Sequence, residues 1–185
     1  MLEFKNVFKA YEKVVIDDLS FKLKSGESLG ILGDSGIGKT TIFNLILGFT
    51  PPDGGEVINN FEKISTVFQE NRLIEEISAL DNLKLVTNKE EAILLNLLKD
   101  LKIENPFELV RNLSGGMKRR VAIARGLIYD SDLLLLDEPI QGLDEDTRRV
   151  VIEKILEFSK DRSIILISHN LEDLEDFKID RSIEL

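Results

Sequence analysis

At 185 residues, with 43% hydrophobic positions and a net charge of −10, the chain has the length of one globular domain with a real core, and its acidity argues against coating a nucleic-acid backbone. It contains no cysteine, which excludes disulfides, a thiolate metal site and a cysteine nucleophile. The amino-terminal MLEFKNVFKA has neither an apolar export core nor a small-residue cleavage site, and no apolar run exceeds four residues, so a cytoplasmic location without a membrane span is expected.

In chain order, the stretch through Ile16 and the Ser25-Gly26-Glu27 turn predict short paired antiparallel strands on one edge of the fold. Leu19, Phe21 and Leu23 alternate there with Ser20 and Lys22, the period of a half-buried strand. The runs Leu29 to Leu32, Leu133 to Leu136 and Ile164 to Ile167 lack alternation and are bounded by Gly, Asp or Ser, as expected of strands buried on both faces of a parallel sheet. Helical spacing occupies Thr40 to Leu47, Glu90 to Leu101, Gly115 to Ile128 and Glu145 to Phe158. From about Arg72 to Gly126 helix follows helix, with Leu94, Leu97, Leu98 and Leu101 as an apolar stripe. The whole predicts one α/β domain over residues 1–185, with a mostly parallel sheet, an antiparallel β edge and a helical insertion over about 72–126. The acidic run Glu172, Asp173, Glu175 and Asp176 is expected to be a solvated helix face.

Gly33-Asp34-Ser35-Gly36-Ile37-Gly38-Lys39-Thr40 fits G-x-x-x-x-G-K-[ST] between a predicted strand and a predicted helix. Such a loop turns successive N–H groups onto phosphate oxygens, with the lysine on the β/γ-phosphates and the Thr40 hydroxyl on Mg²⁺. Asp137 and Glu138 end the Leu133 to Leu136 strand, the edge where open α/β sheets bind ligands; the first suits Mg²⁺ and the second a general base for water. Ser114-Gly115-Gly116 opens a helix with exposed amides and makes either a second anion site or a plain capped start. His169 and Gln69 each end an apolar run. His169 could meet a γ-phosphate and Gln69 could position Mg²⁺ or water; otherwise they are ordinary surface polar groups. Tyr11 is either a purine-stacking ring or rim packing.

Taken together, the motifs resemble the ATP-binding subunit of ABC transporters over nearly the whole chain. The carriers are the phosphate loop Gly33 to Thr40, Gln69 of the Q-loop, the Leu113-Ser114-Gly115-Gly116-Met117 signature, Asp137-Glu138, the D-loop Gly142-Leu143-Asp144, and His169, in family order. The resemblance implies that Tyr11, the loop residues through Thr41, Ser114 and Gly116 bind ATP. It further implies Thr40, Gln69 and Asp137 around Mg²⁺, and catalysis by Lys39, Gln69, Glu138 and His169. It implies two copies, or two homologous chains, packed head to tail around ATP and docked on membrane-spanning permease subunits at the inner membrane face. Met117 departs from the usual glutamine, the stretch from Thr41 to Gln69 is short, and the chain stops soon after the strand following His169, which implies a trimmed β edge and absent final helices. The Val67 to Glu70 surroundings resemble importers of oxyanions and organic sulfonates, although the motifs themselves specify neither cargo nor direction. Two rival expectations are an ABC ATPase acting as a mechanical or regulatory clamp, and a small-molecule kinase using the same loop.

Overall fold

The computed structural model describes residues 1–34 and 36–185. In chain order it contains β1 (Leu2–Ala10), β2 (Val14–Leu23), β3 (Ser28–Leu32), α1 (Lys39–Ile46), β4 (Gly54–Asn59), β5 (Ile64–Val67), α2 (Ala79–Lys84) and α3 (Glu91–Asp100). There follow α4 (Gly115–Ile128), β6 (Leu133–Asp137), α5 (Glu145–Phe158), β7 (Ser163–Ser168), α6 (Leu171–Asp176) and β8 (Arg181–Glu184). These fall into two compact units.

The first unit comprises Met1–Ile64, Ser131–Asp137 and Asp161–Leu185. Its parallel strands lie in the order β6-β7-β3-β8. Every residue of β6 and β7 is buried, which explains why their sequences are unbroken apolar runs. Alternate side chains divide between the two faces of the sheet. Leu29, Ile31, Leu133, Leu135, Ile165 and Ile167 join one core with Ile42, Phe43 and Ile46 of α1 and with Leu2, Phe4, Phe21 and Leu23. The last four belong to a separate antiparallel sheet of order β2-β1-β4, in which the Phe4 and Phe21 rings stack at 4.4 Å.

The expected short edge strands are in fact nine and ten residues long. Register shifts keep them from forming a flat alternating ladder. At those shifts Asn6 and Asp18 take positive φ, a conformation that short polar side chains tolerate, and the Asn6 amide donates to the Asp18 carboxylate at 2.6 Å. The acidic run is exposed at Glu172, Glu175 and Asp176, as a solvated helix face should be, and departs from expectation at Asp173 alone. Asp173 is only 7% exposed, because its carboxylate accepts the buried Ser168 hydroxyl and thereby fixes the chain just beyond β7.

The second unit comprises Ser65–Asp130 and Glu138–Lys160. Leu94, Leu97 and Leu98 of α3, and Leu101 just after it, are at most 2% exposed, and α3 packs against α2 and α4, whose Leu80, Leu83 and Val121 are likewise buried. Asn82 is fully buried, yet it satisfies its amide through the N–H and C=O of Ile74 and the C=O of Ser78. Asn82 thereby anchors the irregular segment that leads from β5 into α2. Among the described residues, no helix is long and apolar enough to cross a membrane.

Leu98→Ala is predicted to remove about 2–5 kcal/mol of stability, the usual loss for a fully buried leucine. Urea unfolding followed by circular dichroism measures it.

Candidate nucleotide site

Three of the features singled out in the sequence stand at or just beyond the ends of parallel strands of the first unit. Leu32 of β3 is level with Ser168 of β7, and Asp137 of β6 is level with Ile167, so the phosphate loop, Asp137 and His169 all leave one edge of the sheet. That edge is where the carboxyl ends of the strands lie, the side on which open α/β sheets bind ligands.

Within the loop, Gly38 has φ 124 and is held so close to β2 that a Cβ would meet Val15 Cγ1 at 2.8 Å and Val15 O at 3.0 Å. Both the backbone angle and the crowding therefore demand glycine there. Gly38 also serves as the N-cap of α1 and offers no side-chain acceptor to the helix. The first helical bond is Ile42 N–H to Gly38 C=O, at 3.1 Å. The N–H groups of Lys39, Thr40 and Thr41 precede it and have no acceptor within the helix. No acidic side chain stands in that first turn. These amides and the helix dipole together favour an anion.

Lys39 is 7% exposed, and its ammonium donates to the C=O of Gly33 and, at 2.9 Å, to that of Asp34. Both acceptors are neutral, so they orient the charge without cancelling it. Thr40 is exposed, Thr41 half-buried, and Asp34, Gly36 and Ile37 are exposed. Ser35 lies outside the described residues. Thr40 and Asp137 offer a hydroxyl and a carboxylate, oxygen donors suited to a hard cation such as Mg²⁺, and this donor set fits that ion.

Tyr11 is 59% exposed just beyond β1. Its placement has a cause that the sequence concealed. Lys9, itself buried, pairs with Asp53 at 2.8 Å and lies 5.3 Å from the Tyr11 ring centroid. The other Asp53 oxygen accepts the Ala10 N–H at 2.9 Å. The Lys9 hydrogen bond, followed by that of Ala10, holds the Asp53 carboxyl below its ordinary value. His169 is exposed in the turn after β7, and the Ser168 hydroxyl accepts the Asn170 N–H at 3.0 Å across it.

The remaining residues belong to the second unit. Gln69, Gly116, Arg119, Glu138 and Gln141 line one cleft of about 300 Å³. Gln69 follows β5, and its amide donates to the Gln141 side chain at 3.4 Å. Glu138 is 7% exposed and has φ 44, a left-handed backbone unusual for a glutamate. Ser114 is the N-cap of α4 and accepts the Met117 N–H at 3.3 Å. Beside it Gly115 and Gly116 face open space, where a Cβ would meet nothing within 4 Å. In the D-loop, Asp144 caps α5, and its hydrogen bonds to Thr147 hold its carboxyl below the ordinary value.

Sequence reasoning missed Arg119, Gln141 and the Lys9–Asp53 pair. Arg119 was detectable as a charge on the buried face shared by Ile123 and Leu127, whereas Lys9 and Asp53 are too far apart in sequence to suggest their pairing.

Comparison with known proteins agrees with these motifs. The family model described as ABC transporter matches residues 16–141. The Nod factor export ATP-binding protein I of Rhizobium etli is 36% identical over 195 residues, covering 94% of this chain and 62% of that protein. The chain thus spans about three fifths of the length of that curated relative. A Pyrococcus furiosus protein described as an ABC transporter ATP-binding protein superposes with a TM-score of 0.86 at 26% identity, covering 100% of this chain and 96% of its own. A dimeric ATP-binding cassette in a post-hydrolysis state, bound to ADP and Pi, gives 0.84 at 27% identity, with coverage of 100% and 94%.

Because the folded Asp53 carboxyl titrates below its ordinary 3.8, the pair stabilises the fold above that pH and loses its effect as pH falls through the depressed value. Asp53→Asn is predicted to melt below the parent at pH 7 and to converge with it in strong acid, as thermal melts across pH will record.

Proposed function

The chain belongs to the ABC transporter family, and from that premise we propose that it is the ATP-hydrolysing subunit of a transporter, converting ATP and water to ADP and phosphate. The observation that carries this reading is the loop from β3 to α1. Its helix start is uncapped and its one buried ammonium rests on neutral carbonyls, so the local potential is positive in a chain of net charge −10.

In the proposed reaction the loop amides from Gly33 to Thr41, with Ser35 among them, and Lys39 bind the triphosphate, while Tyr11 stacks on the adenine. Glu138 accepts a proton from water as its oxygen attacks the γ-phosphorus, and the bond from that phosphorus to the ADP oxygen breaks. Lys39 and His169 hold the γ-phosphate oxygens, and Gln69 orients the water. Mg²⁺, held by Thr40, Asp137 and Gln69, would neutralise charge on the phosphates.

Ser114 and Gly116 have no phosphate to bind on their own side of this scheme. The open space beside Gly115 and Gly116 at the start of α4 instead suits the nucleotide of a second copy or a homologous chain packed head to tail, and the dimeric ADP-bound relative supports that arrangement. Residues 1–185 then act as one ATPase domain with about 72–126 as its helical part, docking on membrane-spanning permease subunits at the inner face of the membrane. Relatives named for export favour outward movement over import, and they weigh against a clamp working without transport. A small-molecule kinase would have no use for Ser114 and Gly116.

Two variants divide binding from chemistry. Glu138→Gln should retain ATP affinity and lose about 10²- to 10⁴-fold in turnover, the range for a general base. Lys39→Ala should weaken ATP binding by about ten- to a hundredfold, the loss of a charged hydrogen bond. Calorimetric titration and phosphate release read the two effects. Parent-level hydrolysis by the first variant would remove Glu138 as the base, and unchanged affinity in the second would remove the loop as the binding site.

A further inference from the structure

Beyond the residues that would touch nucleotide, one side chain holds two of the proposed catalytic segments at once. Arg119, on the second turn of α4, is only 6% exposed. Its Nε donates to the C=O of Pro139 at 2.9 Å and its Nη2 to the C=O of Glu138 at 2.8 Å. Its Nη1 donates to the C=O of Phe68 and, at 3.2 Å, to that of Gln69. One guanidinium therefore binds four carbonyls, two following β5 and two following β6. A buried guanidinium requires such partners, and charge-assisted hydrogen bonds are stronger than neutral ones.

The place where these bonds fall gives them a function. Glu138 has φ 44, which a glutamate does not hold by preference. Arg119 binds the carbonyl of that residue and of the next one. Fixing the peptide planes fixes the direction of the Glu138 side chain from its Cα. The same guanidinium holds the backbone of Gln69, whose side chain lines the cleft that Glu138 lines. Resting on the reading of Glu138 as general base, we propose that Arg119 is a positioning residue for hydrolysis. It clamps Glu138 in its left-handed conformation and registers it against the Gln69 segment.

Lysine cannot replace this clamp. Its ammonium is a compact point charge on a flexible stem and lacks the planar fork that reaches both carbonyl pairs. The test compares Arg119→Lys and Arg119→Met with the parent in the full chain, alone and combined with Glu138→Gln. Release of labelled phosphate gives kcat and KM, calorimetry gives ATP affinity, and thermal melts confirm folding. Arg119→Lys is expected to lower kcat about tenfold or more with KM and ATP affinity within twofold, and Arg119→Met to lose at least as much. In the Glu138→Gln background neither substitution should reduce the residual rate further, because the group being positioned is gone. The inference is overturned if kcat in Arg119→Lys stays within twofold of the parent. It is equally overturned if ATP affinity falls in proportion to kcat, or if the loss multiplies that of Glu138→Gln, since both would mark general structural damage. Parent-level hydrolysis by Glu138→Gln alone would instead remove the reading beneath the inference, a result that the Arg119 variants by themselves cannot produce.

Discussion

The crowding at Gly38 is the constraint from which the proposed nucleotide site follows. No side chain fits between this residue and Val15, and its φ of 124 would strain any other residue, so the chain enters α1 with no capping group. An uncapped start leaves the amides of Lys39, Thr40 and Thr41 to an outside acceptor. The parallel strands beneath supply rigidity, because β6, β7 and the middle of β3 are buried and bring the loop, Asp137 and His169 to one edge. An acidic protein can thus present a positive site, since the field near a helix start is local and mobile ions screen distant carboxylates over about 8–10 Å.

A second principle governs the other unit, where side chains hold backbone. Asn82 satisfies the loop before α2, Ser114 and Asp144 cap their helices, and Arg119 gathers the carbonyls of Phe68, Gln69, Glu138 and Pro139. The two caps bond the first turn of their own helices, whereas Asn82 and Arg119 reach into irregular chain. This is where conformations such as the positive φ of Glu138 have to be maintained without help from a sheet. The proposed division of labour is binding on rigid strand ends in one unit and water activation on clamped loops in the other.

Much of this was legible in the sequence, and the reasons can be traced residue by residue. Doubly buried strands announce themselves as unbroken runs, so β3, β6 and β7 were placed within a residue or two, as were α1, α3, α4 and α5. The Gly33 to Thr40 motif was legible as a turn from β3 into α1 because it places glycine and lysine at fixed offsets. The length of β1 and β2 was not, because register shifts at Asn6 and Asp18 break the period of two that identifies a strand. Asp173 was misjudged for a related reason. Charge runs are usually solvated, and its hydroxyl partner Ser168 lies in another element. The arginine clamp was hidden because carbonyl acceptors belong to every residue and leave no trace in composition.

The central claim is that the amides at the start of α1 receive the phosphates. Amide hydrogen exchange with and without Mg-ATP tests it directly, because each N–H reports its own acceptor. The account predicts that ATP slows exchange over Gly36 to Thr41 while leaving the interior of α3 unchanged. Exchange in that segment at the same rate with saturating ATP would contradict it.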